Sequence, residues 1–77
     1  MNAEQLEQHL KSQLEGCEIK VESEGAHFVI HACGKIFEEL STLKKQQLVY
    51  ACVTDQIANG DIHALTIRAT APQTTKD

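Results

Sequence analysis

Residues 17–34, "CEIKVESEGAHFVIHACG", decide the fold. The first half alternates: Cys17, Ile19 and Val21 fall on one side, Glu18, Lys20 and Glu22 on the other. That period of two is the mark of a strand with one face buried and one face wet. The second half repeats the pattern, with Phe28, Ile30 and Ala32 on one face and His27, Val29, His31 and Cys33 on the other. Between them, "SEGA" is short enough for a hairpin turn around Gly25, and Gly34 ends the second strand. Two antiparallel neighbours with one apolar face need something to cover that face.

The flanking segments supply it. In "NAEQLEQHLKSQL", residues 2–14, Ala3, Leu6, Leu10 and Leu14 recur at helical intervals, Asn2 and Gln5 have capping-box spacing, and Gly16 stops the helix. After a short turn of helix at 36–40, Ser41 or Thr42 can cap a helix over roughly 42–58, with Leu43, Val49, Tyr50, Val53 and Ile57 on its apolar face. Asn59-Gly60 is a helix stop, and "IHALTIRA", residues 62–69, reads as a third strand. The order α-β-β-α-β predicts an α+β domain over residues 1–72. Its three-stranded mixed sheet has strands one and two antiparallel, strands two and three parallel through a helical crossover, and helices on one face. A short polar tail, residues 73–77, follows Pro72.

Composition narrows the function classes. A chain of 77 residues has room for one small core, which yields only a few kcal/mol at ~70–80 residues. Cys17, Cys33 and Cys52 are odd in number and form no CxxC pair, which points away from a disulfide framework or a four-cysteine zinc site and suits a reducing compartment. No secretory leader or membrane-spanning run is visible. Eleven acidic against seven basic residues give a net charge of −4, against a strong non-specific grip on nucleic acid. No glycine-framed nucleophile, triad or phosphate-cradling loop is present, so an enzyme is not expected.

The histidines carry the remaining chemistry. His63 opens the third strand, and strand parity places it on the side of Leu65 and Ile67. It is either a core histidine satisfied by one hydrogen bond or, at the rim just past the Asn59-Gly60 turn, a group that meets solvent or a ligand. His27 and His31 have the H-x₃-H spacing of a zinc pair on a helix, but "FVI" between them favours a strand. There, four residues span roughly 13 Å, too far for one ion. His27 alone, at the junction of loop and strand, remains a candidate ligand, while His9 and His31 read as surface residues. The cysteines read as small buried hydrophobes.

Three separated segments, "GAHFVI", "FEELSTLKKQQLVYACV" and "DIHALTIRATAP", resemble the BolA family in order and spacing. "LKKQQLVY" and "GAHF" are most similar to its YrbA (IbaG) branch. The resemblance runs from about residue 3 to Pro72 and implies a class II KH-like fold. It implies that His63, in the matching "HA" position, is a ligand to a [2Fe–2S] cluster shared with a monothiol glutaredoxin. The second ligand of such proteins is a cysteine or a histidine in the loop before the second strand, and the match here is His27. The glutaredoxin and its glutathione would supply the thiolates, and the chain alone would hold no cofactor. Two imidazoles in place of two thiolates lower the negative charge at one iron and raise its potential. Imidazole binds unprotonated, so retention weakens as pH falls toward an ordinary histidine pKa of ~6.5.

The resemblance also implies a bacterial cytoplasmic location and a free chain that is a monomer or weak homodimer. It brings a second function class, a DNA-binding regulator of the stress response, in which Lys44, Lys45, Gln46 and Gln47 at a helix N-terminus reach phosphates or bases. The chain has no GxxG loop of the kind nucleic-acid-binding KH domains use. The tail "APQTTKD" is shorter than the aromatic and basic C-terminal segment common in the family.

Overall fold

The computed structural model describes residues 2–72; the tail expected at 73–77 lies outside the described residues. Along the chain run α1 (Ala3–Gln13), β1 (Glu18–Glu24), β2 (His27–Cys33), a 3₁₀ turn (Lys35–Phe37), α2 (Thr42–Ala51), α3 (Thr54–Ala58) and β3 (Ala64–Thr70). The sheet order is β1-β2-β3, with β1 antiparallel and β3 parallel to β2. This is the mixed α+β architecture the sequence predicts.

Local chemistry explains each boundary. Asn2 accepts the Gln5 N–H at 2.8 Å while the Gln5 side chain accepts the Asn2 N–H at 3.0 Å, a complete capping box on α1. The β1–β2 loop is only Gly25-Ala26, and Gly25 has a φ of 63°, the positive φ a II′ hairpin turn requires of its first residue. That turn fixes the register: Ile19 faces Ala32 and Val21 faces Ile30 on the core side, while Lys20 faces His31 and Glu22 faces Val29 on the open side. Leu6 and Leu10 of α1 and Leu14 just past its end, with Val49 and Val53, cover Ile19, Val21, Phe28, Ile30 and Ala32. Each large apolar side chain so buried contributes roughly 1.5–3 kcal/mol.

The region expected as one helix over 42–58 is two. Ser41, not Thr42, is the cap, its hydroxyl accepting the Lys44 N–H at 3.2 Å. At the end of α2 the bonds tighten to i→i−3: Cys52 N–H to the Val49 carbonyl at 3.0 Å and Val53 N–H to the Tyr50 carbonyl at 2.9 Å. The break frees the Cys52 carbonyl, and His9 on α1 places its Nε2 2.7 Å from it. His9 is therefore not a surface residue but a half-buried strut between α1 and the helix break, and His31 is also only half-exposed. The apolar face expected for this region holds at Val49 and Val53, both fully buried, and fails at Leu43 and Tyr50, which are 65% and 47% exposed. The 3₁₀ turn contributes a core residue that periodicity does not reveal, Phe37, which is completely buried.

Gly34 has no room for a side chain, because a Cβ there would collide with Cys17 Sγ. Cys17 and Cys52 are half-buried and packed against the core. Burial pushes both thiols up, with the neighbouring Cys33 adding to the effect at Cys17. No helix among the described residues is long and apolar enough to cross a membrane.

Candidate functional site

The third strand begins two residues later than expected, at Ala64, and the chain bends at His63. The bend reverses the parity of the opening: Ile62 goes into the core, 3% exposed, and His63 comes out to solvent. Of the two readings open for His63, the rim position is the observed one.

The loop that carries His63 is fully hydrogen-bonded. Asn59 N–H donates to the Asp55 carbonyl at 3.0 Å and Gly60 N–H to that of Ile57 at 3.2 Å. Asp61 N–H donates to Asn59 Oδ1 at 3.0 Å, an Asx-type turn, and Ile62 N–H to the Gln56 carbonyl at 3.2 Å. His63 and Ala64 both donate to the carbonyl of Ala26, at 3.0 and 3.3 Å. Every backbone N–H from 59 to 64 thus has a partner. An exposed imidazole sits on a backbone with little freedom to move.

The same bonds bring the second candidate alongside. Ala26 is the last residue of the hairpin turn, His27 is the first of β2, and His27 stands in register with Ala64. His27 and His63, 36 positions apart in the sequence, therefore both lie at the corner of the sheet where β2 and β3 begin. Both are exposed. No group of three or more histidine, cysteine, aspartate or glutamate side chains able to hold a metal ion occurs among the described residues. Two neutral imidazoles suit a borderline ion such as iron but cannot complete a four-donor shell, so a metal or cluster held here needs donors from a second molecule.

The cationic candidates separate. Lys44, Gln46 and Gln47 are exposed on the first turns of α2, whereas Lys45 is half-buried. Gln46 and Gln47 line a groove of ≈ 420 Å³ with Leu43, Tyr50, Leu65 and Ile67. On the open face of the sheet, register sets Lys20, His31 and Arg68 side by side across the three strands, with His31 Nε2 3.3 Å from Glu22 Oε1. Neither the groove nor this row is visible in the sequence, since both depend on pairing between distant segments.

The fold and the site together define a small α+β domain with two exposed histidines at one corner of a three-stranded mixed sheet. The sequence model of the BolA-like protein family matches residues 1–74, and the chain belongs to that family. It is 36% identical over 72 residues to the acid stress protein IbaG of Escherichia coli strain K12, covering 94% of this chain and 86% of that one. BolA1 from Arabidopsis thaliana superimposes with a TM-score of 0.81 at 26% identity over 99% of both chains. The BolA domain of SufE1 from the same plant does so with a TM-score of 0.78 at 25% identity over 91% of each.

Proposed function

We propose that this chain is a BolA-like adaptor, not an enzyme, that binds a monothiol glutaredoxin and shares a [2Fe–2S] cluster with it for iron–sulfur trafficking in the bacterial cytoplasm. The observation that carries the reading is the corner itself: His63 is exposed on a rigid loop whose backbone bonds to the residue preceding His27. A fixed donor pair loses little freedom on binding, which favours ligation over an incidental surface role. Half a first shell on each of two chains gives a site that opens when the chains separate, suiting transfer of the cluster rather than storage. Glutathione would enter with the glutaredoxin. That a BolA domain also forms part of SufE1 agrees with a module that acts beside other protein parts.

The test is anaerobic reconstitution of the chain with a monothiol glutaredoxin and glutathione, followed by visible absorption and circular dichroism. Wild type should alter the glutaredoxin's cluster spectrum, His63→Ala should abolish the change, and His27→Ala should abolish or reduce it. An unaltered spectrum with wild type sinks the adaptor reading.

A second reading, a DNA-binding regulator, draws on the exposed Lys44, Gln46 and Gln47 at the capped start of α2. Sequence-selective retardation that survives physiological salt would favour it. Retardation lost at modest salt with no sequence preference would count against it.

A further inference from the structure

The long edge of β3 is a second feature, separate from the histidine corner. Ala64 N–H donates to the Ala26 carbonyl and Gly34 N–H to the Thr70 carbonyl, so the even-numbered residues of β3 turn their main-chain groups toward β2. The odd-numbered ones, Leu65, Ile67 and Ala69, therefore direct N–H and C=O to the open edge. Among the described residues none bonds to them. β3 has seven residues, no proline and one charge, so it lacks the devices that usually blunt an edge.

Beside that edge runs the groove of ≈ 420 Å³ between β3 and α2. Leu43 and Tyr50, which stand exposed where the sequence predicts burial, form its helix wall, and Leu65 and Ile67 form its floor. Among the described residues no acidic side chain lines it. Arg68 is the one charge on β3, on the opposite, open face of the sheet beside Lys20 and His31.

We propose that this edge and groove take up an extended segment of a partner protein as a fourth strand, with its alternate residues apolar and acidic. Main-chain groups of the segment pair with Leu65, Ile67 and Ala69. Its apolar side chains enter the groove and its carboxylates face Arg68. Charge decides against a symmetric dimer through this edge. A two-fold pairing centred on Ile67 sets Arg68 of one copy diagonally across from Arg68 of the other, roughly 7–8 Å away on one face. The apolar groove and the unpaired strand favour a polypeptide over nucleic acid, which offers no matching ladder of donors and acceptors. The proposal goes beyond the adaptor reading and does not depend on it.

The test is an NMR titration of the ¹⁵N-labelled full chain with two heptapeptides that alternate valine and isoleucine with glutamate in one and lysine in the other. The glutamate peptide should shift the amides of Leu65, Ile67 and Ala69 saturably, slow their hydrogen exchange, and bind at least tenfold more tightly than the lysine peptide. Arg68→Glu should reverse that preference, Tyr50→Ser should weaken binding, and both variants should keep the wild-type circular dichroism. His63→Ala should bind the glutamate peptide as wild type does, which separates this site from the cluster corner. The proposal is overturned if neither peptide shifts these amides or if both bind equally. It is equally overturned if a single-stranded oligonucleotide moves them where the glutamate peptide does not. Concentration-dependent self-association that protects them in the free chain would give the edge to a second copy and overturn it too.

Discussion

His9 and His63 put one side chain to opposite uses. His9 sits half-buried on α1, and its imidazole reaches inward to the Cys52 carbonyl at 2.7 Å. At His63 the backbone N–H holds the residue in place, to the Ala26 carbonyl at 3.0 Å, and leaves the imidazole in solvent. The first histidine spends its polar group on stability, and the second keeps it available. A histidine held by its main chain with a free ring is the stronger candidate for ligand chemistry. A histidine whose ring is already engaged explains itself.

Four substitutions or reactions test that contrast, from the largest effect to the smallest. His9→Ala should lower stability by about 1–3 kcal/mol in denaturant unfolding, because the half-buried Cys52 carbonyl loses its partner. A loss no larger than at His63 would erase the distinction. Gly34→Ala should cost about 1–3 kcal/mol by forcing a methyl against Cys17 Sγ, and Cys17→Ala in the same chain should restore part of it. Gly25→Ala should cost about 1 kcal/mol, since φ of 63° strains any L side chain. It should also weaken the proposed cluster sharing in proportion to how far it moves Ala26, a link that no change at His9 should reproduce. His63→Ala should change stability by less than about 0.5 kcal/mol, the range of ordinary surface substitutions.

The thiols offer a check without mutation. Burial raises Cys17 and Cys52, so at pH 8 both should alkylate more slowly in the folded chain than in the chain unfolded by denaturant, as mass spectrometry of timed iodoacetamide reactions would read. Because folding raises these two, their contribution to stability is fully present below the unfolded thiol value of ~8.5. It is lost as pH rises through the folded one. Equal rates in the folded and unfolded chain would mean that burial does not restrain these two thiols.

Local pattern made most of the elements legible. Alternation marked β2 as His27–Cys33, and the Asn2–Gln5 pair marked the start of α1. What escaped depends on distant partners. The break between α2 and α3 is stabilised by a residue 43 positions away, so no window of sequence contains it. Leu43 and Tyr50 look like core residues on a helical wheel, yet among the described residues the sheet has no fourth strand beneath them. Strand parity puts His63 on the side of Leu65 and Ile67, and the bend before Ala64, which depends on Ile62 packing into the core, turns it out. The pairing of His27 with His63 as candidate ligands came from family likeness; their adjacency came from the parallel register.

That register also has a kinetic side. The β1–β2 hairpin closes across two residues, whereas β3 reaches β2 only after thirty residues that include both α2 and α3. Non-local pairings of this kind are slow to form, because the entropy of closing the loop is lost before any contact rewards it. His27 is in place as soon as the hairpin closes, and His63 arrives with the last strand. A chain whose sheet is incomplete therefore does not hold the two imidazoles at one corner, and the placed pair exists only where the whole sheet does, so the corner is itself a certificate of completed folding.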